Sequence, residues 1–208
     1  VEANPKRLQE LLEQYPVKGF QDVEMALKED FDGFTIAAPA PLHYDIAKLL
    51  LEHGKSVLVE KPMTLSSETS LELVELAKAK GAQLMVGHVL LFHPAIVKIK
   101  ELIDNGKIGE LYYIYSNRLN LGTVRTEENV FWSFAPHDIS VLNYFVGEIS
   151  ECIESKGAKF LQKNVYDYTM TQLTYPNNIH AHIFVSWLHP FKEHRMVVIG
   201  SRGMISFE

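Results

Sequence analysis

A lysine placed where an apolar run stops is the first residue of this chain suited to chemistry. The stretch Ser56-Val57-Leu58-Val59-Glu60-Lys61-Pro62 reads as a short buried strand over Val57 to Glu60, ending on two opposite charges and a proline. Helical patterns flank it, so the strand belongs to a parallel sheet, and such sheets bind ligands in the crevice outside the carboxyl ends of their strands. Lys61 points at that crevice. Partial burial lets a lysine amine give and take a proton near neutrality. Taken alone, Glu60–Lys61 reads more readily as a surface ion pair before a proline turn, because exposed pairs are common and worth little.

Two further groups have suitable side chains. Arg118, Asn120, Arg125 and Asn129 carry the guanidinium and amide groups that grip phosphates, carboxylates and sugar hydroxyls. The same four residues read equally well as a solvated loop between a strand and a helix. His180 and His182 stand two apart on a strand and share a face, with His189 and His194 nearby. A zinc site needs about three ligands in closed geometry, and no Cys or acidic partner joins these histidines at a recognisable spacing, so no metal is expected.

The elements that position these residues alternate. Val1–Pro5 reads as the end of a strand entering a helix capped by Asn4, which places further chain upstream. Asp22 caps a short helix to about Lys28. Strand 33–37, helix 42–53, strand 57–60, helix 67–80 and strand 83–87 follow, with Gly54 and Gly81 closing the helices. Repeated βα units mean a doubly wound parallel sheet. After Gly87 the pattern changes. A helix over 94–105 leads to a strongly β-forming run, Leu111–Leu119, then a helix over 137–145. Long alternating strands come next, at about 151–161, 166–175, 179–188, 195–199 and 204–208, with Asn177-Asn178 as a turn. The expected organisation is a parallel α/β domain over residues 1–87 and an α+β domain with a large, mostly antiparallel, open-faced sheet over 88–208. The last strand stops in mid-sheet.

With 47% apolar and 22% charged residues, the 208-residue chain can bury a sizeable core. Its net charge of −6 argues against nucleic acid and acidic membrane partners. Cys152 is the single cysteine, so there is no intrachain disulfide, and no apolar run approaches a membrane span or a secretory leader. These features point to the cytoplasm.

Four short motifs stand at strand or helix ends in a fixed order: Ala38-Pro39-Ala40-Pro41-Leu42-His43, Glu60-Lys61-Pro62, Val86-Gly87-His88 and Ala135-Pro136-His137-Asp138-Ile139-Ser140. Together they resemble the glucose-fructose oxidoreductase/inositol dehydrogenase (Gfo/Idh/MocA) family across almost the whole chain. The runs 92–95, 116–122 and 128–132 are most similar to the branch acting on UDP-linked amino sugars and their uronic acids. The resemblance implies a Rossmann domain holding a nicotinamide cofactor and a second domain presenting a sugar or polyol. It places Glu2, Ala38, Pro39, His43, Glu60, Lys61 and His88 at the cofactor. It also makes Lys61 and His137 the catalytic pair around the carbon that loses hydride, one of them taking the hydroxyl proton. Glu2 matches the carboxylate that binds the adenosine ribose and repels a 2′-phosphate, which favours NAD over NADP.

The chain departs from the family pattern twice. It contains no Gly-x-Gly-x-x-Gly, so either the phosphate loop lies upstream of Val1 or pyrophosphate is not held in the usual way. Ser133 stands where many members carry an aspartate four residues before the histidine. The expected activity is NAD-dependent oxidation of a sugar hydroxyl, with a non-catalytic binding protein of the same fold or an NAD-assisted glycoside hydrolase as alternatives. The uncovered face of the second sheet, with Tyr166, Tyr168, Phe184 and Trp187 among its aromatics, is expected to bury itself in a homodimer or homotetramer.

Overall fold

The computed structural model describes residues 1–122, 124–126 and 128–208, which divide into two compact units, Val1–Gly87 and His88–Glu208. In the first unit, α1 (Pro5–Gln14) begins where Asn4 accepts hydrogen bonds from the Lys6 and Arg7 amides, and α2 (Val23–Ala26) begins at Asp22. The strands β1 (Gly33–Ile36), β2 (Ser56–Val59) and β3 (Leu84–Val86) then form a parallel sheet in the order β1-β2-β3. Between them run α3 (His43–Glu52), entered through a 3₁₀ turn at Ala40–Leu42, and α4 (Ser67–Lys80). Ser66 caps α4 by accepting the Thr69 N–H, and Gly81 ends it at φ +64°, a conformation that an added Cβ would strain. The apolar faces of both helices, through Ala47, Leu50, Leu51, Leu73 and Ala77, close over Ile36, Val57 and Val59.

The second unit opens with a 3₁₀ turn at Val89–Phe92 and α5 (Pro94–Asp104). It continues through β4 (Leu111–Leu121), α6 (Val130–Val146), β5 (Cys152–Ala158), β6 (Tyr168–Tyr175), β7 (Ile179–Ser186), β8 (Leu188–Gly200) and β9 (Gly203–Phe207). Strand order is β5-β6-β7-β4-β8-β9, antiparallel except for the β4–β7 pair. One face carries Ile114, Ile183, Val185 and Val198, packed on Ile96, Val141, Leu142 and Phe145 of the helices.

Register assigns the other face. Tyr113 and Tyr115 stand opposite His180 and His182, and Phe184 stands opposite Asn117. The Tyr115 and His182 rings stack at 5.4 Å, and the Tyr113 hydroxyl lies 2.7 Å from His182 Nδ1. Phe184 and Tyr168 meet edge to face on the same side, as expected. Trp187 does not: it is 1% exposed and belongs to the core, because it lies two residues beyond Val185 on the helix-covered side. Tyr166 precedes β6 instead of standing within it.

Two boundaries differ instructively from the sequence pattern. The helix expected from His137 begins seven residues earlier, so His137 lies within α6, not at its start. The cap is Asn129, whose side chain accepts the Trp132 N–H at 3.1 Å. Strand β8 extends from Leu188 to Gly200, although Lys192, Glu193 and His194 make its first half polar. Pairing with β4 overrides their weak strand preference. Pro190 is tolerated because it falls in the register shift between the Leu121–Leu188 and Leu119–Glu193 pairs, where it owes the ladder no N–H.

Candidate active site

In the first unit the candidate residues gather at the carboxyl ends of the parallel strands. The ladder runs one residue past the strands: Glu60 N–H donates to Ile36 O at 2.9 Å, and Gly87 N–H donates to Val59 O at 2.7 Å. Ala38 is half-buried and Pro39 exposed, so the turn after β1 presents backbone to its surroundings. The Glu60 carboxylate lies against Gly87; a Cβ there would come within 3.2 Å of all three carboxylate atoms. Glycine at position 87 therefore leaves the acid its seat. A Glu60 oxygen accepts the Lys61 N–H at 3.3 Å, and Lys61 itself is half-buried.

His43 lies beneath the surface of this region. Its ring is 1% exposed, with Nδ1 2.8 Å from Pro62 O and Nε2 2.7 Å from Ala38 O. It can act on a ligand only through the backbone it holds. Glu2 is half-buried and accepts the Asn4 N–H at 2.9 Å through Oε1. His88 directly follows Gly87, and its buried Nδ1 has no hydrogen-bond partner among the described residues.

In the second unit, α6 is fixed to the sheet by a buried ion pair. Asp138, 1% exposed, receives Arg118 Nε at 2.9 Å and Nη2 at 3.0 Å, a two-pronged pairing, and also the Ser116 hydroxyl at 2.8 Å. The Arg118 fork is thus engaged within the protein through Nε and Nη2: a carboxylate this buried holds a guanidinium firmly. Asn129 is likewise occupied, its side-chain oxygen by the helix cap. Arg125 is exposed and pairs with Glu128 at 3.4 Å, while Asn120 is half-buried beside Gly122. A second tie joins α6 to the sheet, the buried Tyr175 hydroxyl donating to Asn143 Oδ1 at 2.8 Å. Burial pushes the Tyr175 hydroxyl up to about 12.

His137 is half-buried on this anchored helix, one residue before Asp138 and one turn after the buried Ser133. Its carbonyl accepts the Ser140 hydroxyl at 2.7 Å. The sequence reading missed Asp138 and Ser116 as the groups that orient this helix. A signal existed, since a buried aspartate on an apolar helix face requires a cation opposite it. Among the described residues, no three His, Cys, Asp or Glu side chains group as a metal would need.

Residues 1–88 match the model described as the oxidoreductase family, NAD-binding Rossmann fold, and residues 96–206 match the GFO/IDH/MocA C-terminal domain. The chain belongs to the GFO/IDH/MocA family. It is 27% identical over 185 residues to scyllo-inositol 2-dehydrogenase (NAD(+)) of Bacillus subtilis, covering 84% of this chain and 54% of that protein. Its fold superposes on the WlbA dehydrogenase of Bordetella pertussis, solved with NADH and UDP-GlcNAcA, with TM-score 0.89 and 20% identity over 99% of this chain and 64% of that one. An Azotobacter vinelandii inositol dehydrogenase homologue, solved with NADH and myo-inositol, superposes with TM-score 0.91 and 19% identity, covering 99% and 60%. The chain spans about half the length of the curated relatives it matches. No helix among the described residues is long and apolar enough to cross a membrane.

Three histidines give a pH dependence with a definite sign. Burial pushes His88, His182 and His194 below the ordinary histidine range, and at His194 the Arg118 and Lys192 charges act in the same direction against Asp138. The unfolded chain therefore takes up these protons first. Native stability is full above about pH 6.5 and falls as pH drops through that value toward the lower native ones. Urea midpoints at about pH 7.5 and about pH 5.5 check this, the lower pH giving the lower midpoint.

Proposed function

We propose that this chain forms the core of an NAD-dependent dehydrogenase that oxidises a hydroxyl of a sugar, specifically a nucleotide-linked amino sugar or uronic acid. The observation that carries the reading is Lys61 fixed at the carboxyl end of a parallel strand beside a seated carboxylate, Glu60. Bound nicotinamide would supply the hydride acceptor. The turn at Ala38 and Pro39 leaves backbone accessible, and Glu60, seated against Gly87, offers an acceptor for ribose hydroxyls or a carboxamide; these residues fit such a group.

Lys61 and His137 are the catalytic candidates of this reading, one of them taking the hydroxyl proton as the alcohol oxygen becomes a carbonyl. Among the substrate-side candidates Arg125 is exposed and Asn120 half-buried. WlbA, solved with a UDP-linked uronic acid, supports the substrate class. The test is incubation of the full-length protein with NAD and either UDP-GlcNAcA or myo-inositol, followed by mass spectrometry. The proposal expects UDP-GlcNAcA to lose two hydrogens; loss from myo-inositol alone would sink the nucleotide-sugar assignment.

Cofactor choice follows from Glu2, a carboxylate that in this reading binds the ribose hydroxyls and repels a 2′-phosphate. Calorimetry on the full-length protein should show tighter NAD(H) than NADP(H) binding, a preference that narrows in Glu2→Ala. The open sheet face, with Tyr113, Tyr115, His182 and Phe184, is an interface between copies of the chain in this reading. Light scattering at micromolar concentration should give a dimer or tetramer, and a monodisperse monomer would remove the assignment.

A further inference from the structure

Lys61 lies in a segment held at alternate residues. Glu60 N–H donates to Ile36 O. The Pro62 carbonyl is 2.8 Å from His43 Nδ1. Thr64, 3% exposed, donates its hydroxyl to Ser66 O at 2.6 Å and meets the Thr69 and Ser70 hydroxyls at 2.9 and 2.7 Å. Of these ties only the one at Pro62 is made by a side chain that also holds a second loop, for His43 Nε2 lies 2.7 Å from Ala38 O. One buried imidazole therefore spans the segments leaving the carboxyl ends of β1 and β2. Both contacts are hydrogen bonds together only when both ring nitrogens carry hydrogen, since a carbonyl oxygen can only accept.

We propose that His43 is a positioning residue: its ring staples the Ala38 turn to the Lys61–Pro62 segment and so sets where the Lys61 amine stands. The inference rests on the proposed function only in giving that amine a task. At 1% exposure the ring cannot itself meet a dinucleotide or a sugar. Its influence passes through the Pro62 carbonyl, adjacent to the lysine. Releasing that carbonyl removes the tie nearest to Lys61 on its carboxyl side. A displacement of about 1 Å at a reacting group can cost about 10²-fold in rate.

Three variants of the full-length protein separate the arms of the staple. Phenylalanine keeps the ring's shape and removes both contacts. Asparagine places an amide nitrogen where Nδ1 stands, toward Pro62, and glutamine places one where Nε2 stands, toward Ala38. Lysines are reductively methylated with ¹³C, which keeps their charge, and the Lys61 signal is assigned by its loss in Lys61→Met. The spectrum is recorded without cofactor or substrate. The proposal expects the Lys61 resonance to shift or broaden in His43→Phe and His43→Gln and to return toward its native position in His43→Asn. Turnover should follow the same order, with kcat in His43→Phe about tenfold lower or more.

A merely structural histidine would lower thermal stability in all three variants and leave the Lys61 resonance in place, and that result would overturn the proposal. Should His43→Phe fail to fold, the contrast between His43→Asn and His43→Gln decides alone, equal resonances counting against the staple. The spectrum requires no activity, so failure here leaves the dehydrogenase reading standing. Full activity in Lys61→Met would remove that reading and leave the staple intact.

Discussion

Lys61→Met and His137→Asn each lower kcat of the full-length protein by about 10²-fold or more, the usual scale for losing a general acid–base group. Methionine keeps the length and apolar stem of Lys61 while removing its charge. Asparagine keeps a polar group at position 137 while removing proton transfer near neutrality. The two differ in what else they disturb. Lys61 leaves the strand end where Glu60 is seated, so its loss also weakens cofactor binding. His137 stands on α6 in the second unit, and its loss leaves NAD affinity within a few-fold. Steady-state kinetics with calorimetric NAD titration check both. Wild-type turnover in both variants would end the catalytic assignment even with the family secure.

The largest stability effect falls on Arg118. In Arg118→Met the Asp138 carboxylate, 1% exposed, loses both guanidinium contacts and retains the Ser116 hydroxyl. Removing one partner of a buried pair leaves a charge uncompensated and costs about 3–5 kcal/mol. The thermal midpoint should fall by about 10 °C or more, at a few degrees per kcal/mol for a protein of this size. The double variant Arg118→Met with Asp138→Leu removes both charges and should recover most of the loss, because apolar replacement of a whole buried pair is often neutral. Thermal denaturation of the three proteins checks this. A midpoint in Arg118→Met equal to wild type would mean the pair does not anchor α6.

Local patterns made much of the fold legible. α4 spans the expected 67–80 and ends at the expected Gly81, with Ser66 as its cap, because a cap and a left-handed stop act within one turn. The order of βα units followed by long alternating strands gave the fold class. Elements set by distant partners could not be read so directly. β8 exists over its first half because β4 pairs with it, and Trp187 is buried because helices cover that side of the sheet. α6 starts at Val130, ahead of the expected 137, because Asn129 caps it there.

The candidate site divides along the same line. Glu60 and Lys61 stand where the strand pattern put them, since a charge at the end of an apolar run marks a strand's carboxyl end. His43, Arg118 and Asn129 have the chemistry of ligand-binding residues, and each also holds protein: both ring nitrogens of His43, Nε and Nη2 of Arg118 and the side-chain oxygen of Asn129. Residue type alone does not distinguish a guanidinium awaiting a substrate from one already paired with Asp138. That distinction depends on a contact 20 residues away in sequence.

Direct transfer of hydrogen from sugar to cofactor tests the account most closely. UDP-GlcNAcA deuterated at its ring carbons is incubated with the full-length protein and NAD, and the reduced cofactor is examined by mass spectrometry. The account predicts one deuterium in the NADH formed, with a rate that falls about 10²-fold in Lys61→Met. Conversion of the sugar with no net NADH, or NADH formed without deuterium, would contradict it.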